Sequence, residues 1–144
     1  EVTERKSLQM LQNALERQNV ICNVKVIDEC QCTGYQNEFT QAVYNLIKNA
    51  TEICEERKIK NGKITIRIEK NESNKKARIE IADNCGGIEE DALEKIFNPY
   101  YTTHEKSRGK GVGLFMAKTI IENNMNGSIL VNNTSEGVNF IIEV

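Results

Sequence analysis

One stretch of the chain distributes apolar and polar residues with the period of an amphipathic helix. From residue 34 onward, Asn45 and Asn49 stand beside an apolar stripe whose three-and-four spacing is typical of one buried helix face. The stripe consists of Phe39, Ala42, Val43, Leu46, Ile47, Ala50, Ile53 and Cys54. Because each helical residue advances the azimuth by about 100°, both amides lie at the edge of the stripe. Such amides can coordinate an ion, but the helix alone favours two solvated surface residues.

Other apolar patterns predict further elements around that helix. Residues 3–18 have a helical pattern, and residues 20–27 alternate as a strand. Residues 64–69 and 77–82 alternate on either side of a turn-like Asn-Glu-Ser-Asn segment. These two runs therefore predict an antiparallel hairpin.

The second half of the chain predicts two helices and another hairpin. Residues 89–96 have the first helical pattern, and the second helix begins at Gly113. The polar loop of residues 100–110 lies between them, and we expect it to be mobile without a bound ligand. Residues 127–133 and 138–144 alternate as a terminal hairpin. Together these elements predict an α+β two-layer sandwich, in which about three helices cover one face of a mixed, mostly antiparallel sheet.

Length and charge restrict the classes of function. The 144 residues fit one domain with a single core, and no linker divides them. A net charge of −2 offers no basic surface for nucleic acid or an anionic membrane, and no apolar run reaches transmembrane length. The chain has no signal peptide and opens on Glu1 rather than Met, so we expect it to be a piece of a longer protein.

Five cysteines form no recognisable framework. Their number is odd, and only Cys30 and Cys32 lie close together, without the spacing and histidines of a zinc site. We therefore expect all five, including Cys22, Cys54 and Cys85, to be reduced cytosolic thiols. Nothing in the spacing supports a regulatory disulfide.

Two glycine-rich segments are candidates for ligand binding. Residues 83–88 begin with Asp83, whose carboxylate can accept a hydrogen bond from an exocyclic amine, although a plain turn is the commoner alternative. Residues 109–114 open a helix, where backbone amides can approach a phosphate, although a flexible hinge is equally open. A P-loop needs Ser or Thr where Gly111 stands, and a dinucleotide fingerprint needs glycine where Met116 stands.

Four segments that follow one another in order are more specific than any of them alone. They are residues 45–50, 83–87, 97–103 and 109–114. This combination resembles the N, G1, F and G2 boxes of the catalytic and ATP-binding domain of bacterial two-component sensor histidine kinases. The resemblance covers nearly the whole chain. It implies the Bergerat fold, which type II topoisomerases, mismatch-repair ATPases and a heat-shock chaperone share.

The resemblance also implies cofactors and the residues that bind them. ATP and Mg²⁺ are the expected cofactors, with Asn49 as the magnesium ligand and Asp83 as the residue that binds the adenine amine. Asn45 and Asn49 are the implied catalytic residues. The other implied nucleotide contacts are Glu52, Gly87, Ile88, Tyr101, Thr102, Thr103, Lys110, Gly111, Val112, Gly113 and Leu114.

Three positions depart from the family's pattern. Cys85 replaces a glycine, a change that we expect the fold to tolerate. Glu52 stands where many relatives have a lysine or arginine, so we expect Lys110 or Arg108 to supply the cation for the phosphates. His104 replaces a lysine and lacks the neighbouring helical carboxylate that a phosphoacceptor needs. The acceptor histidine is therefore expected outside this chain.

Asn45 separates two activities within this superfamily. ATP-hydrolysing relatives resemble one another in a glutamate four residues before the magnesium asparagine, and an amide at that position cannot take a proton from water. Phosphoryl transfer needs mainly an aligned acceptor and a neutralised triphosphate. We therefore expect transfer of the terminal phosphoryl group of ATP to a histidine. A hydrolysing switch of the same fold and a non-catalytic nucleotide-sensing module are the alternatives.

The resemblance implies partners as well. The acceptor histidine would lie on the kinase's own dimerisation domain, and a response regulator receiver domain would be an indirect partner. The full-length protein would be a homodimer. This domain would be cytoplasmic, with no contact to nucleic acid or membrane, whether or not the whole protein is anchored in the inner membrane.

Overall fold

The computed structural model describes residues 21–26, 36–74, 76–99 and 113–144. The predicted helix of residues 3–18 and the polar loop of residues 100–110 lie outside these ranges. The described elements are β1 (Ile21–Val26), α1 (Gln36–Glu56), β2 (Lys63–Lys70), β3 (Ala77–Asp83), α2 (Glu90–Leu93), α3 (Gly113–Thr119), a π-helical turn (Ile120–Asn124), β4 (Ser128–Asn133) and β5 (Val138–Glu143).

The described strands form one five-stranded sheet in the order β1-β2-β3-β5-β4. β1 pairs with β2 in parallel, and the other three pairs of neighbours are antiparallel. Both predicted hairpins are present, as β2–β3 and β4–β5. The prediction of an α+β fold with a mixed, mostly antiparallel sheet is confirmed.

The apolar stripe of α1 packs into the core as its spacing predicts. All eight of its residues are buried, from Phe39 at the start of the helix to Cys54 near its end. The buried hydroxyl of Thr51 donates a 2.9 Å hydrogen bond to the carbonyl of Ile47, which satisfies its polar group inside the helix. Asn45 and Asn49 are half-buried, at the edge of the stripe.

Rows of apolar side chains across the sheet meet this helix. Ile66 pairs with Ile81, which pairs with Phe140 on the next strand, and all three are buried. Each such side chain contributes roughly 1.5–3 kcal/mol by leaving water. Phe97 packs edge-on against Phe140 with ring centroids 6.2 Å apart, and so fastens the segment after α2 to the sheet.

Two helices differ from their predicted form. α2 spans only Glu90–Leu93, because the chain continues as single turns in which Ile96 donates to the carbonyl of Ala92 and Asn98 to that of Lys95. α3 begins at Gly113 as predicted but widens into the π-helical turn, where the amide of Met125 bonds the carbonyl of Ile120 at 3.1 Å. No described helix is long and apolar enough to cross a membrane.

The expectation that all cysteines are free thiols is wrong for Cys54 and Cys85. The two sulfurs form a disulfide, with the Cα atoms 5.1 Å apart. The end of α1 and the loop after β3 meet in the core and bring together two residues that lie 31 positions apart in the sequence. Spacing along the chain carries no sign of that contact.

Candidate functional site

The site centres on Asp83, the last residue of β3. Its side chain is buried, and the residue is only 7% exposed. The backbone N–H of Cys85 donates to Asp83 Oδ1 at 3.0 Å, and the backbone N–H of Val138 is a second donor. Burial raises the pKa of Asp83, although both N–H groups and the positive charge of Arg57 act in the opposite direction. A carboxylate so placed retains acceptor capacity for a donor that arrives with a ligand.

The turn between β4 and β5 packs directly against this carboxylate. A Cβ atom at Gly137 would collide with the backbone carbonyl and with Oδ1 of Asp83, so this position requires glycine. The N–H of Gly86 donates to the carbonyl of Glu136 at 3.0 Å. Gly86 adopts a φ of 90°, a backbone conformation that residues other than glycine rarely adopt.

Arg57 approaches the same loop from the end of α1. Its Nη1 atom donates to the carbonyl of Cys85 at 2.9 Å, and its charge acts on Asp83. No pattern in the sequence predicts a site role for Arg57, since a basic side chain just after a helix is common on protein surfaces. Its contact joins residues 28 positions apart.

Asn133 holds the other side of the loop. Its Oδ1 atom accepts the N–H of Ile88 at 2.8 Å, and its Nδ2 atom donates to the carbonyl of Ile88 at 2.6 Å. A Cβ at Gly87 would lie 2.8 Å from Asn133 Oδ1, closer than real Cβ contacts allow. Gly87 and Ile88, both predicted nucleotide contacts, are thereby fixed by a residue that the sequence analysis missed. An asparagine at a strand end is an ordinary turn residue and gives no signal of this role.

Asn45 connects α1 with the start of α3. Its Nδ2 atom donates to the carbonyl of Gly113 at 3.2 Å, and its Oδ1 atom accepts from Nε2 of Gln41 at 2.8 Å. Leu114 packs beside this contact against the core. The structure therefore brings the first motif and the end of the second glycine-rich segment together. The catalytic role of Asn45 stays a prediction.

Asn49 and Glu52 lie on the same face of α1 as Asn45, because positions four and seven residues apart share a helix face. The side chain of Asn49 has no hydrogen-bond partner among the described residues, and its amide oxygen is of the hard type that magnesium prefers. Glu52 pairs with Lys48 at 4.0 Å. Lys48, the exposed partner of the half-buried Glu52, offsets part of the negative charge that Glu52 brings to the face.

The other predicted contacts cannot be placed. Tyr101, Thr102, Thr103, Lys110, Gly111 and Val112 lie outside the described residues. His104 and Arg108 lie there too. Within the described ranges, no three histidine, cysteine or acidic side chains gather as a metal site.

Residues 34–144 match the family model described as histidine kinase-, DNA gyrase B- and HSP90-like ATPase. The two-component sensor PprA of Pseudomonas aeruginosa is 30% identical over 116 residues, which cover 77% of this chain and 12% of PprA. The sensor protein TdiS of Thauera aromatica is 30% identical over 131 residues, or 90% of this chain and 23% of TdiS. The chain thus spans less than a quarter of the length of these relatives.

Solved structures agree with this match. The catalytic domain of the histidine kinase ThkA has a TM-score of 0.82 and 29% identity, over 99% of this chain and 89% of that domain. ThkA in complex with the response regulator protein TrrA has a TM-score of 0.76 and 28% identity, over 99% of this chain and 39% of the ThkA chain. The chain belongs to the family of histidine kinase-, DNA gyrase B- and HSP90-like ATPases, as a catalytic domain of the sensor histidine kinase type.

Proposed function

We propose that this domain binds ATP with Mg²⁺ and donates the terminal phosphoryl group to a histidine on the kinase's own dimerisation domain. The observation that carries the proposal is Asp83, a buried carboxylate with two backbone donors and a raised pKa at the end of a core strand. Buried titratable groups with perturbed pKa values concentrate at functional sites. The exocyclic amine of adenine is a donor that would complete its hydrogen bonding.

Gly87 and Ile88 would form the wall of the base site beside Asp83. Asn133 holds the backbone of Ile88 through both of its N–H and C=O groups, so the loop does not need to order itself when the base enters. Ordering a loop on binding costs affinity, and a loop that is already held avoids that cost. This arrangement favours a preformed base site.

Asn49 would face the triphosphate from α1, with its amide oxygen toward the magnesium ion. A magnesium ion held there would supply positive charge to the phosphate oxygens. Asn45 would act by holding Gly113, and with it the start of α3, against α1. Gly113 is the last glycine of the segment that we propose approaches the phosphates.

The partners are likewise proposals. ThkA has been solved with its response regulator TrrA, and we infer that a receiver domain receives the phosphoryl group from the modified histidine in this system too. The acceptor histidine would come from the dimerisation domain of a homodimeric sensor. We place the domain in the cytoplasm, where ATP and receiver domains are found.

Calorimetric titration with a non-hydrolysable ATP analogue, with and without magnesium, tests the binding half of the proposal. We expect one-to-one binding that is strengthened by magnesium. Asn49→Ala should remove the magnesium dependence and leave the affinity measured without magnesium unchanged. Tyr44→Ala, a change at an exposed position of the same helix, is the matched control and should retain that dependence. Absence of binding in every condition would contradict the proposal and favour a module that does not sense nucleotide.

Transfer itself requires the acceptor. Adding the kinase's dimerisation domain to the chain with labelled ATP should give a phosphohistidine that is stable to base and labile to acid. A hydrolysing switch would instead release ADP steadily without the acceptor. The amide at Asn45 argues against that outcome, because it cannot act as the general base toward water. A nucleotide-sensing module would bind ATP and modify nothing.

A further inference from the structure

The Cys54–Cys85 disulfide joins the two segments that carry the proposed nucleotide contacts. Cys54 lies five residues after Asn49 on α1, and Cys85 lies two residues after Asp83. Apart from packing, Arg57 supplies the other described link between the end of this helix and the loop. The bond is therefore a covalent constraint on how closely the loop after β3 approaches α1.

The backbone of Cys85 contacts the carboxylate of Asp83 directly. Its backbone N–H donates to Asp83 Oδ1 at 3.0 Å, while its carbonyl accepts from Arg57 at 2.9 Å. A displacement of Cys85 would lengthen or misalign both hydrogen bonds. The carboxylate that is proposed to bind adenine would then lose one of its two backbone donors and part of its orientation.

Both sulfurs lie inside the packed core. Cys54 is 1% exposed and Cys85 is fully buried. A Cβ at Gly62 would lie 3.3 Å from the sulfur of Cys54 and 3.5 Å from that of Cys85, so the backbone of Gly62 already covers the bond. Breaking the bond requires the sulfurs to separate by roughly 1.5 Å to reach van der Waals contact. We expect the loop that carries Cys85 to shift as that room is made.

We propose that the Cys54–Cys85 pair is a redox site that controls nucleotide affinity, with the disulfide form binding ATP more tightly than the dithiol form. This inference rests on the proposed function, since it assigns a regulation to the same site. A disulfide in a compartment where thiols are kept reduced is characteristically transient and redox-sensing rather than structural.

The co-reactant is a dithiol of the thioredoxin class. Its thiolate attacks one sulfur of the pair, forms a mixed disulfide and releases the other cysteine as a thiolate that takes up a proton. The second thiol of the reductant then attacks the mixed disulfide, releases the second cysteine and becomes oxidised itself. Two electrons and two protons reach the pair, and the reverse exchange with a disulfide of the same class restores the bond.

The turn between α1 and β2 is the route of access. Residues 57–61 are exposed, and Gly62 follows them directly over the sulfurs. The side chain of Asn84 holds this turn, because it donates to the carbonyl of Asn61 at 3.0 Å and accepts the N–H of Lys63 at 2.8 Å. The N–H of Ile59 also donates to the carbonyl of Cys54 at 3.0 Å, so we expect a reductant to reach the disulfide only when this turn opens locally.

Titration of the oxidised and the dithiothreitol-reduced chain with a non-hydrolysable ATP analogue tests the proposal, with thiols counted by mass spectrometry in each state. We expect the reduced chain to bind about tenfold more weakly, because the base site is no longer held in place. By linkage, saturating analogue should lower the midpoint potential of the pair by about 30 mV for a tenfold affinity ratio.

Two variants separate the pair from the other cysteines. Cys22→Ser/Cys30→Ser/Cys32→Ser, which keeps only Cys54 and Cys85, should retain the full difference. Cys54→Ala/Cys85→Ala should bind like the reduced chain under both conditions, with circular dichroism used to confirm that it folds. Equal binding by both states, a difference that survives in the alanine variant, or failure of the pair to oxidise would each overturn the redox proposal alone. Absence of binding in both states would overturn the proposed function and the inference together.

Discussion

The base end and the phosphate end of the proposed site are built in different ways. Around Asp83, groups from four elements hold one another through the N–H of Val138, the guanidinium of Arg57 and the amide of Asn133. On α1, Asn49 has no hydrogen-bond partner among the described residues. The fold thus fixes the geometry for the base, whereas Asn49 at the described phosphate end would receive its contacts from the ligand.

This difference predicts opposite responses to the same kind of change. Substitutions at the base end should disturb the fold and the affinity together, because each group there has two or more partners. Substitutions on the described phosphate end should affect magnesium dependence or transfer and leave the stability of the empty domain nearly unchanged.

The largest contrast is between two glycines. Gly137→Ala places a Cβ against the carbonyl and carboxylate of Asp83, and we expect it to cost about 3 kcal/mol or more of stability and to abolish nucleotide binding. Gly113 is the first residue of α3, and a Cβ there would lie 3.9 Å from the side chain of Asn45. We therefore expect Gly113→Ala to raise the free energy of unfolding by up to about 1 kcal/mol. Urea unfolding of both variants checks this. Similar losses in the two variants would erase the contrast.

The pH dependence of stability tests the burial of Asp83. Because its pKa is raised above the ordinary 3.8, the native state keeps this proton to a higher pH than the unfolded chain does. Relative to Asp83→Asn, the wild type should lose stability as pH rises through that interval, by about 1.4 kcal/mol for each unit separating the two pKa values. Below the interval the difference between the proteins should be constant. Denaturant unfolding across acidic to neutral pH measures it, and a wild type that gains stability in this range would refute the account of Asp83.

Asn133→Ala tests the support of the base loop. It removes both hydrogen bonds to the backbone of Ile88, and we expect nucleotide affinity to fall by about five- to tenfold, which corresponds to about 1 kcal/mol for a net hydrogen bond. Asn132→Ala, at the neighbouring exposed position of β4, is the matched control and should bind like the wild type. Isothermal titration compares them. Equal affinities in all three proteins would show that the loop needs no such support.

The smallest effect is expected at Glu52. Glu52→Gln removes the long 4.0 Å ion pair with Lys48, which should change stability by less than about 0.5 kcal/mol. Since one negative charge leaves the face proposed to meet the triphosphate, affinity for ATP should rise severalfold at low salt and less so at high salt. Glu56→Gln, one turn further along the helix and exposed, is the control for a general change in charge. A loss of affinity on changing Glu52 would mean that its carboxylate contacts the ligand productively.

Local patterns in the sequence predicted the elements but not their cross-links. The stripe from Phe39 to Cys54 and both hairpins depend on periodicity between near neighbours, which a single sequence contains. The bonds from Arg57 to Cys85 and from Asn133 to Ile88 join residues far apart in sequence, of types that are common in turns and helix ends. Neither contact has a spacing rule.

The disulfide and the π-helical turn were not predicted from the sequence, for related reasons. The odd cysteine count and the distance between Cys54 and Cys85 concealed a pair that only the packing of α1 against β3 creates. Ile120, Ile121 and Met125, in and directly after the π-helical turn, are buried, but their spacing alone does not distinguish that turn from a plain α-helix. Motif order, by contrast, drew attention to Asp83, which the structure shows as a buried group at the end of β3, while its role toward adenine stays a prediction.

The most direct test of the account asks whether Asp83 reads the adenine amine. Affinities of the wild type and of Asp83→Asn should be measured for non-hydrolysable analogues of ATP and of inosine triphosphate, which lacks that amine. We expect the wild type to prefer the adenine analogue by roughly 30-fold, the value of a hydrogen bond of about 2 kcal/mol to a charged group, and Asp83→Asn to lose the preference. Equal binding of the two analogues by the wild type, or a preference that persists in Asp83→Asn, would contradict the claim.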